Sequence, residues 1–178
     1  GEPIMPITFG GGQEQGISPG TESVPNIVGM GMAARLAFRE LQQTQLLLRS
    51  IQKELMERLS SVQGIKFTGP MDLDKRLPGH LSLVAPGKSG EGLVLRCDLH
   101  GIYLSSGSAC HGKSIEPSHV LKAIGLPDED ALGSLRISFG KFNTLEECDE
   151  VAAVLDDVLR TDEHSIQISM SGANLPAI

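Results

Sequence analysis

Apolar residues recur at the helical period over some thirty-five residues, and this stretch most limits what the chain can fold into. Ile27, Met30, Ala34, Phe38, Leu41, Leu48, Ile51, Leu55, Leu59 and Val62 follow one another at threes, fours and one seven, the spacing of one helical stripe. The pattern predicts one helix from Asn26 to Ser61, stopped by Gly64. At 1.5 Å per residue such a helix runs about 50 Å. That exceeds a compact domain of this size, so the helix is expected to extend beyond its own domain and brace a neighbour. The residues before it obey other rules: Gly10, Gly11, Gly12, Gly16 and Gly20, with Pro3, Pro6, Pro19 and Pro25, forbid any long regular element. Residues 1–25 therefore form a shaped loop.

Shorter patterns follow. Ile65–Thr68 and His80–Ala85 read as strands, the second alternating as a half-buried strand does. Ser89 is an N-cap candidate for a helix through Leu93, Val94, Leu95, Cys97 and Leu99 that ends at Gly101. Ile102–Leu104 is a third strand candidate. Pro117 opens a helix through Val120, Leu121 and Ile124, closed by Gly125; Ser134–Ser138 alternates as a fourth strand; Thr144, with Glu146 and Glu147, caps a last helix through Val151, Val154, Leu155, Val158 and Leu159. The tail, residues 162–178, is expected to be mobile. The order of elements implies an α+β fold, a small and mainly antiparallel sheet with helices on one face.

Composition narrows the function. Fifteen Lys and Arg against 22 Asp and Glu leave a net charge of −7, which argues against binding a phosphate backbone through charge. With no Trp, one Tyr and five Phe, stacking on bases is equally unsupported. No apolar run approaches the roughly 20 residues that span a bilayer, and the first residues lack the features of a signal peptide. Three cysteines, an odd number, do not build a disulfide framework and point to a reducing compartment, with one thiol kept for reactivity. A soluble, cytoplasmic protein that engages neither nucleic acid nor membrane is the expectation.

That thiol is Cys110. It stands in Ser105-Ser-Gly-Ser-Ala-Cys-His-Gly-Lys-Ser114, a run of small and polar side chains from which no core can be built. His111 and Lys113 beside it favour the thiolate. Cys97 and Cys148 fall within predicted helices and are expected to be packed side chains. Cys97, His100, Cys110 and His111 are donors that zinc accepts, but adjacent Cys and His seldom face one ion, and a helix followed by a strand carries the two pairs apart; no metal is expected. Arg136, between Leu135 and Ile137, is either an edge residue facing water or a guanidinium aimed at a carboxylate. The glycine-rich opening, ending in Gly20-Thr21, offers backbone and hydroxyl donors that suit a phosphate, although a plain turn reads as well.

Three segments together resemble the pyridoxal-phosphate-dependent cysteine desulfurases and the related selenocysteine lyases, of the class V aminotransferase family. They are Gly10-Gly-Gly-Gln-Glu-Gln-Gly-Ile-Ser-Pro-Gly-Thr21 with Val24–Gly31, Ser105–Cys110 with Glu116–Gly125, and Ser134–Thr144. The resemblance implies the small C-terminal domain of a fold type I enzyme (residues 26–161), preceded by a remnant of the large domain (residues 1–25). It implies that the Cys110 thiolate attacks the sulfur of L-cysteine, taking it as a persulfide and releasing alanine, for iron-sulfur cluster or thio-cofactor assembly. Arg136 would bind the substrate carboxylate, and Thr21 the cofactor phosphate of the other subunit in a homodimer. A sulfur-acceptor or scaffold protein would receive the sulfur. Selenocysteine lyase and a non-catalytic persulfide relay are the alternatives. Two departures stand out: Gln15 and Ser18 occupy a segment that carries arginines in the family, and no lysine follows the family's Ser-x-His pattern. The 178 residues are therefore expected to be the C-terminal segment of a longer enzyme and inactive alone.

Overall fold

The computed structural model describes residues 4–107 and 117–161. The elements run α1 (Val24–Leu59), β1 (Lys66–Phe67), β2 (His80–Val84), α2 (Gly90–Leu99), α3 (His119–Ala123), α4 (Asp128–Leu132), β3 (Ser134–Ser138) and α5 (Glu147–Arg160), with short 3-10 turns at Gln13–Gly16 and Leu73–Lys75. The chain divides into two compact units, residues 1–43 and 44–178, the boundary falling within α1.

The first unit contains the glycine-rich loop and the first turns of α1. Helix α1 begins two residues earlier than periodicity predicts, at Val24, because Pro25 fits a first turn, where its missing N–H costs nothing. Ile27, Met30 and Phe38 are exposed.

In the second unit, β1, β2 and β3 form an antiparallel sheet in that order. Leu81 stands opposite Ile137 and Leu83 opposite Leu135. These four, all buried, make the apolar face. Ile51, Leu55 and Leu59 of α1, Leu93 and Cys97 of α2, and Leu155 and Val158 of α5 close over it. The last turns of α1 thus carry the core stripe that the period announces. A smaller cluster of Val84, Leu121 and Ala131 seats α3 and α4.

The sequence expectations meet the structure unevenly. Strand β3 occupies the residues read for it, and Ser89 caps α2, its hydroxyl accepting from the Gly92 N–H at 3.2 Å. Ile102–Leu104 is not a strand: only Ser105 pairs, with Arg136. The turn at Gly101, with φ +77°, and the Ile102 N–H bonded to the Cys97 carbonyl draw that segment back onto α2 before it can run beside β3. Thr144 lies three residues before α5 rather than at its cap; its N–H donates to Glu147 Oε2 at 2.9 Å, so the helix opens on Glu147. Helix α4 was unexpected, its five residues being too few to show a period.

Candidate functional site

The second face of the sheet is polar. Strand alternation puts His80 and Ser82 of β2 beside Arg136 and Ser138 of β3, away from the leucines, with Ser82 directly opposite Arg136. A cleft of about 500 Å³ lies against this face, lined among others by Thr68, Lys75, Arg76, His80, Ser82, Gly107, Ser118, His119, Ser134 and Arg136.

The charge of that lining runs against the charge of the chain. Among the described residues two arginines, a lysine and two histidines reach the cleft and no carboxylate does, although in the whole sequence acidic residues outnumber basic ones by 22 to 15. A concave wall bearing one sign of charge focuses its field on an anion.

The cationic groups are held differently. Arg76 is buried; its guanidinium donates to the Pro70 carbonyl and, at 2.5 Å, to the Thr68 carbonyl, and burial lowers its pKa. Thr68 in turn donates from Oγ1 to Ser82 Oγ at 2.6 Å. Arg136 is exposed, which is the first of its two sequence alternatives, yet its surroundings are the cleft. Its backbone is fixed on both sides, by Ser82 in the ladder and by Ser105, whose N–H donates to the Arg136 carbonyl at 3.1 Å and whose carbonyl accepts at 2.7 Å. His80 is half-buried; burial first, then the charges of Arg76 and Arg136, hold it below the usual imidazole range. Its carbonyl accepts from Gln52 Nε2 at 2.8 Å.

Cys110, His111 and Lys113 lie outside the described residues, as does the tail. Residues on either side of that segment are described: the Gly107 N–H donates to Ser134 Oγ at 3.0 Å, and both Gly107 and Ser118 line the cleft with Arg136. Cys97 and Cys148 are buried in the core, as read. Burial pushes the Cys97 thiol up to about 11, and raises Cys148 as well. His100, at the end of α2, is exposed. Among the described residues no cluster of ligating side chains could hold a metal, and no helix is long and apolar enough to cross a membrane.

Thr21 is exposed in the first unit, after Gly20, whose φ of +107° suits glycine and whose N–H donates to Gln13 Oε1 at 3.2 Å. Glu14 and Gln15 take left-handed φ values of 49° and 58°, a strained turn for residues with side chains. A hydroxyl at such a turn fits the phosphate end of pyridoxal phosphate. Its ring is another matter: residues 1–43 contain no Lys, His or Asp, so that unit has nothing to hold the aldehyde carbon or the ring nitrogen.

Sequence reading singled out Arg136 but missed Arg76 and His80 as its neighbours. The signal for His80 was present, since His80 and Ser82 alternate with Leu81 and Leu83. For Arg76, in a loop, there was none.

Residues 8–151 match the aminotransferase class-V family. The chain is 40% identical over 161 residues to the cysteine desulfurase IscS of Clostridium botulinum, covering 90% of this chain and 41% of that protein. It is 44% identical over 142 residues to the cysteine desulfurase IscS of Colwellia psychrerythraea, covering 80% of this chain and 34% of that one. Among solved structures, a NifS-like protein from Rickettsia africae superposes with a TM-score of 0.76 at 27% identity, over 90% of this chain and 41% of that one. The chain thus spans between about a third and two fifths of the length of these relatives.

Proposed function

The chain belongs to the aminotransferase class-V family, and from that premise we propose that it is the C-terminal, substrate-binding part of a pyridoxal-phosphate-dependent cysteine desulfurase. Residues 26–161 are its small domain and residues 1–25 a loop of the large one. The observation that carries this reading is the cationic cleft around Arg136, to which no carboxylate among the described residues contributes, with Gly107 and Ser118 on its wall. Cys110 follows Gly107 by three positions, and three steps of chain reach about 11 Å at most. A thiol on that tether and a substrate whose carboxylate sits on Arg136 can meet.

Each group has a role. The Arg136 fork takes the carboxylate of L-cysteine. Thr21 would hold the cofactor's phosphate group, at the active site of the other subunit of a homodimer. Cys110, as thiolate, attacks the substrate sulfur: a new S–S bond forms, the carbon–sulfur bond breaks, and its electron pair stays with the substrate carbon, which leaves protonated as the methyl of alanine. The sulfur remains on Cys110 as a persulfide for an acceptor protein of iron-sulfur or thio-cofactor assembly. Pyridoxal phosphate, when bound, supplies the electron sink for that cleavage. Because no lysine here follows Ser-x-His, these 178 residues do not turn over alone.

The test is alanine release from L-cysteine by the protein carrying both this segment and the cofactor lysine. Cys110→Ala is expected to abolish it. Unchanged turnover in that variant would remove Cys110 as nucleophile, and competition between L-cysteine and L-selenocysteine decides which substrate the site prefers.

A further inference from the structure

The cleft wall that carries Arg136 also carries His80. His80 lies on the same sheet face as Arg136, two pairs along the ladder: Ser82 is opposite Arg136 and Ser138 opposite His80. Such diagonal neighbours stand about 7–8 Å apart at the backbone, within reach of long side chains. The placement of His80 is fixed from behind. Buried Gln52 donates to its carbonyl at 2.8 Å and to that of Leu77 at 3.0 Å. Gly79 before it, at φ +79°, has space for no side chain, since a Cβ there would come within 2.7 Å of the Phe139 carbonyl. The imidazole therefore stays at the cleft wall.

Resting on the reading of Arg136 as the carboxylate site, we propose that His80 is a second contact to the bound carboxylate, and that the anion binds more tightly once His80 is protonated. Among the described residues the charged and titratable groups that share the cleft wall with His80 are Arg136 from β3, Arg76 and Lys75 from the preceding turn, and His119 from α3, and of these Arg136 and Arg76 act on it by charge. All are basic. With the cleft empty of an anion, burial and the charges of Arg76 and Arg136 hold the His80 pKa below its ordinary value. A carboxylate offsets those charges and accepts from the imidazolium, so occupation raises the His80 pKa. By linkage, acidification through that pKa tightens binding. Lowering the pH from 8 to 5.5 leaves a small carboxylate ionised, so the gain belongs to the protein.

The experiment is an NMR titration of the imidazole signals of the full 178-residue chain with sodium propionate between pH 5.5 and 8, the His119 signal being assigned through His119→Gln. The His80 pKa is expected to rise on adding propionate, and propionate to bind about tenfold more weakly to His80→Ala than to the parent at pH 5.5, with little difference at pH 8. In Arg136→Gln the His80 pKa rises without propionate and no longer responds to it. If Arg136→Gln weakens propionate but the His80 pKa ignores the anion, and His80→Ala binds as the parent does, the role of His80 is overturned and the carboxylate site stands. If Arg136→Gln binds propionate as well as the parent, the carboxylate site itself is overturned.

Discussion

Ser105 and Arg136 exchange both backbone hydrogen bonds, at 3.1 and 2.7 Å, although neither Ser105 nor its neighbours belong to a strand. The segment leading to Cys110 is thereby fastened to the residue that carries the guanidinium. Removing the Ser105 N–H should disturb both. Ser105→Pro is expected to cost about 1–3 kcal/mol for the carbonyl left without its donor and to weaken propionate binding, with Arg136 still present. Ser105→Ala, which keeps the N–H, should change stability by no more than about 0.5 kcal/mol. Urea denaturation and propionate titration of the two variants check this; equal behaviour would mean that the pairing is incidental.

The cysteines should separate by reactivity. Cys97 is fully buried with its thiol pushed up to about 11, and Cys148 is 2% exposed. At pH 7 the thiolate of Cys97 is then about one part in ten thousand. In the folded chain a disulfide reagent is expected to titrate a single thiol quickly, and that signal should vanish in Cys110→Ser. Under denaturing conditions all three react. Fast labelling of Cys97 or Cys148 in the folded chain would contradict the core described above.

What could be read from the sequence divides along physical lines. Strand β3 and helix α2 were legible because their signals are local, two-residue alternation in one and a serine cap with a glycine stop in the other. Ile102–Leu104 misled because three apolar residues look like a strand wherever they lie, while its actual path is set by a hydrogen bond back to Cys97. Arg136 could be found from the sequence, but the meaning of its exposure could not. That depends on Arg76, His80 and Ser82 arriving on one face from 54 to 60 residues earlier, which is a property of strand pairing.

Gly133 is predicted to be irreplaceable for a steric reason. Its φ of −82° is open to any residue, yet a Cβ there would collide with the Ala85 carbonyl oxygen and stand 3.1 Å from that of Lys88. The same close approach allows the Gly133 carbonyl to accept from the Ala85 N–H at 2.9 Å, extending the ladder between β2 and β3. Gly133→Ala must push these backbones apart. A loss of about 3 kcal/mol, or failure to fold, is expected, and a denaturation midpoint equal to the parent's would refute the close packing at this end of the sheet.

His80 should also leave its mark on stability. Its pKa in the folded chain lies below the ordinary 6.5, burial being the first cause. Below about 6.5 the unfolded chain takes up a proton that the folded chain resists. Stability from this group is therefore complete above 6.5 and is lost as the pH falls toward the folded-state value. Comparing parent and His80→Gln by urea denaturation at pH 7.5 and 5.5, the parent should lose more on acidification.

Gln52 joins α1 to the strand that bears His80, and its amide chemistry is what the site requires. Fully buried, it donates through Nε2 to the Leu77 and His80 carbonyls while Oε1 accepts from Arg49 Nη1 at 3.1 Å. Leucine at this position keeps the volume and leaves both carbonyls without a donor, a cost of about 2–5 kcal/mol. Glutamate keeps the shape and the acceptor toward Arg49, but turns a second carboxylate oxygen toward two carbonyls. That oxygen is tolerated only when it carries a proton, so burial raises the pKa of the new acid. Gln52→Glu should accordingly be destabilised more at pH 7.5 than at pH 5.5, whereas the deficit of Gln52→Leu should be nearly the same at both. If Gln52→Leu instead matched the parent, the three hydrogen bonds would carry no net stability, and the fixed placement of His80 would have to come from Gly79 alone.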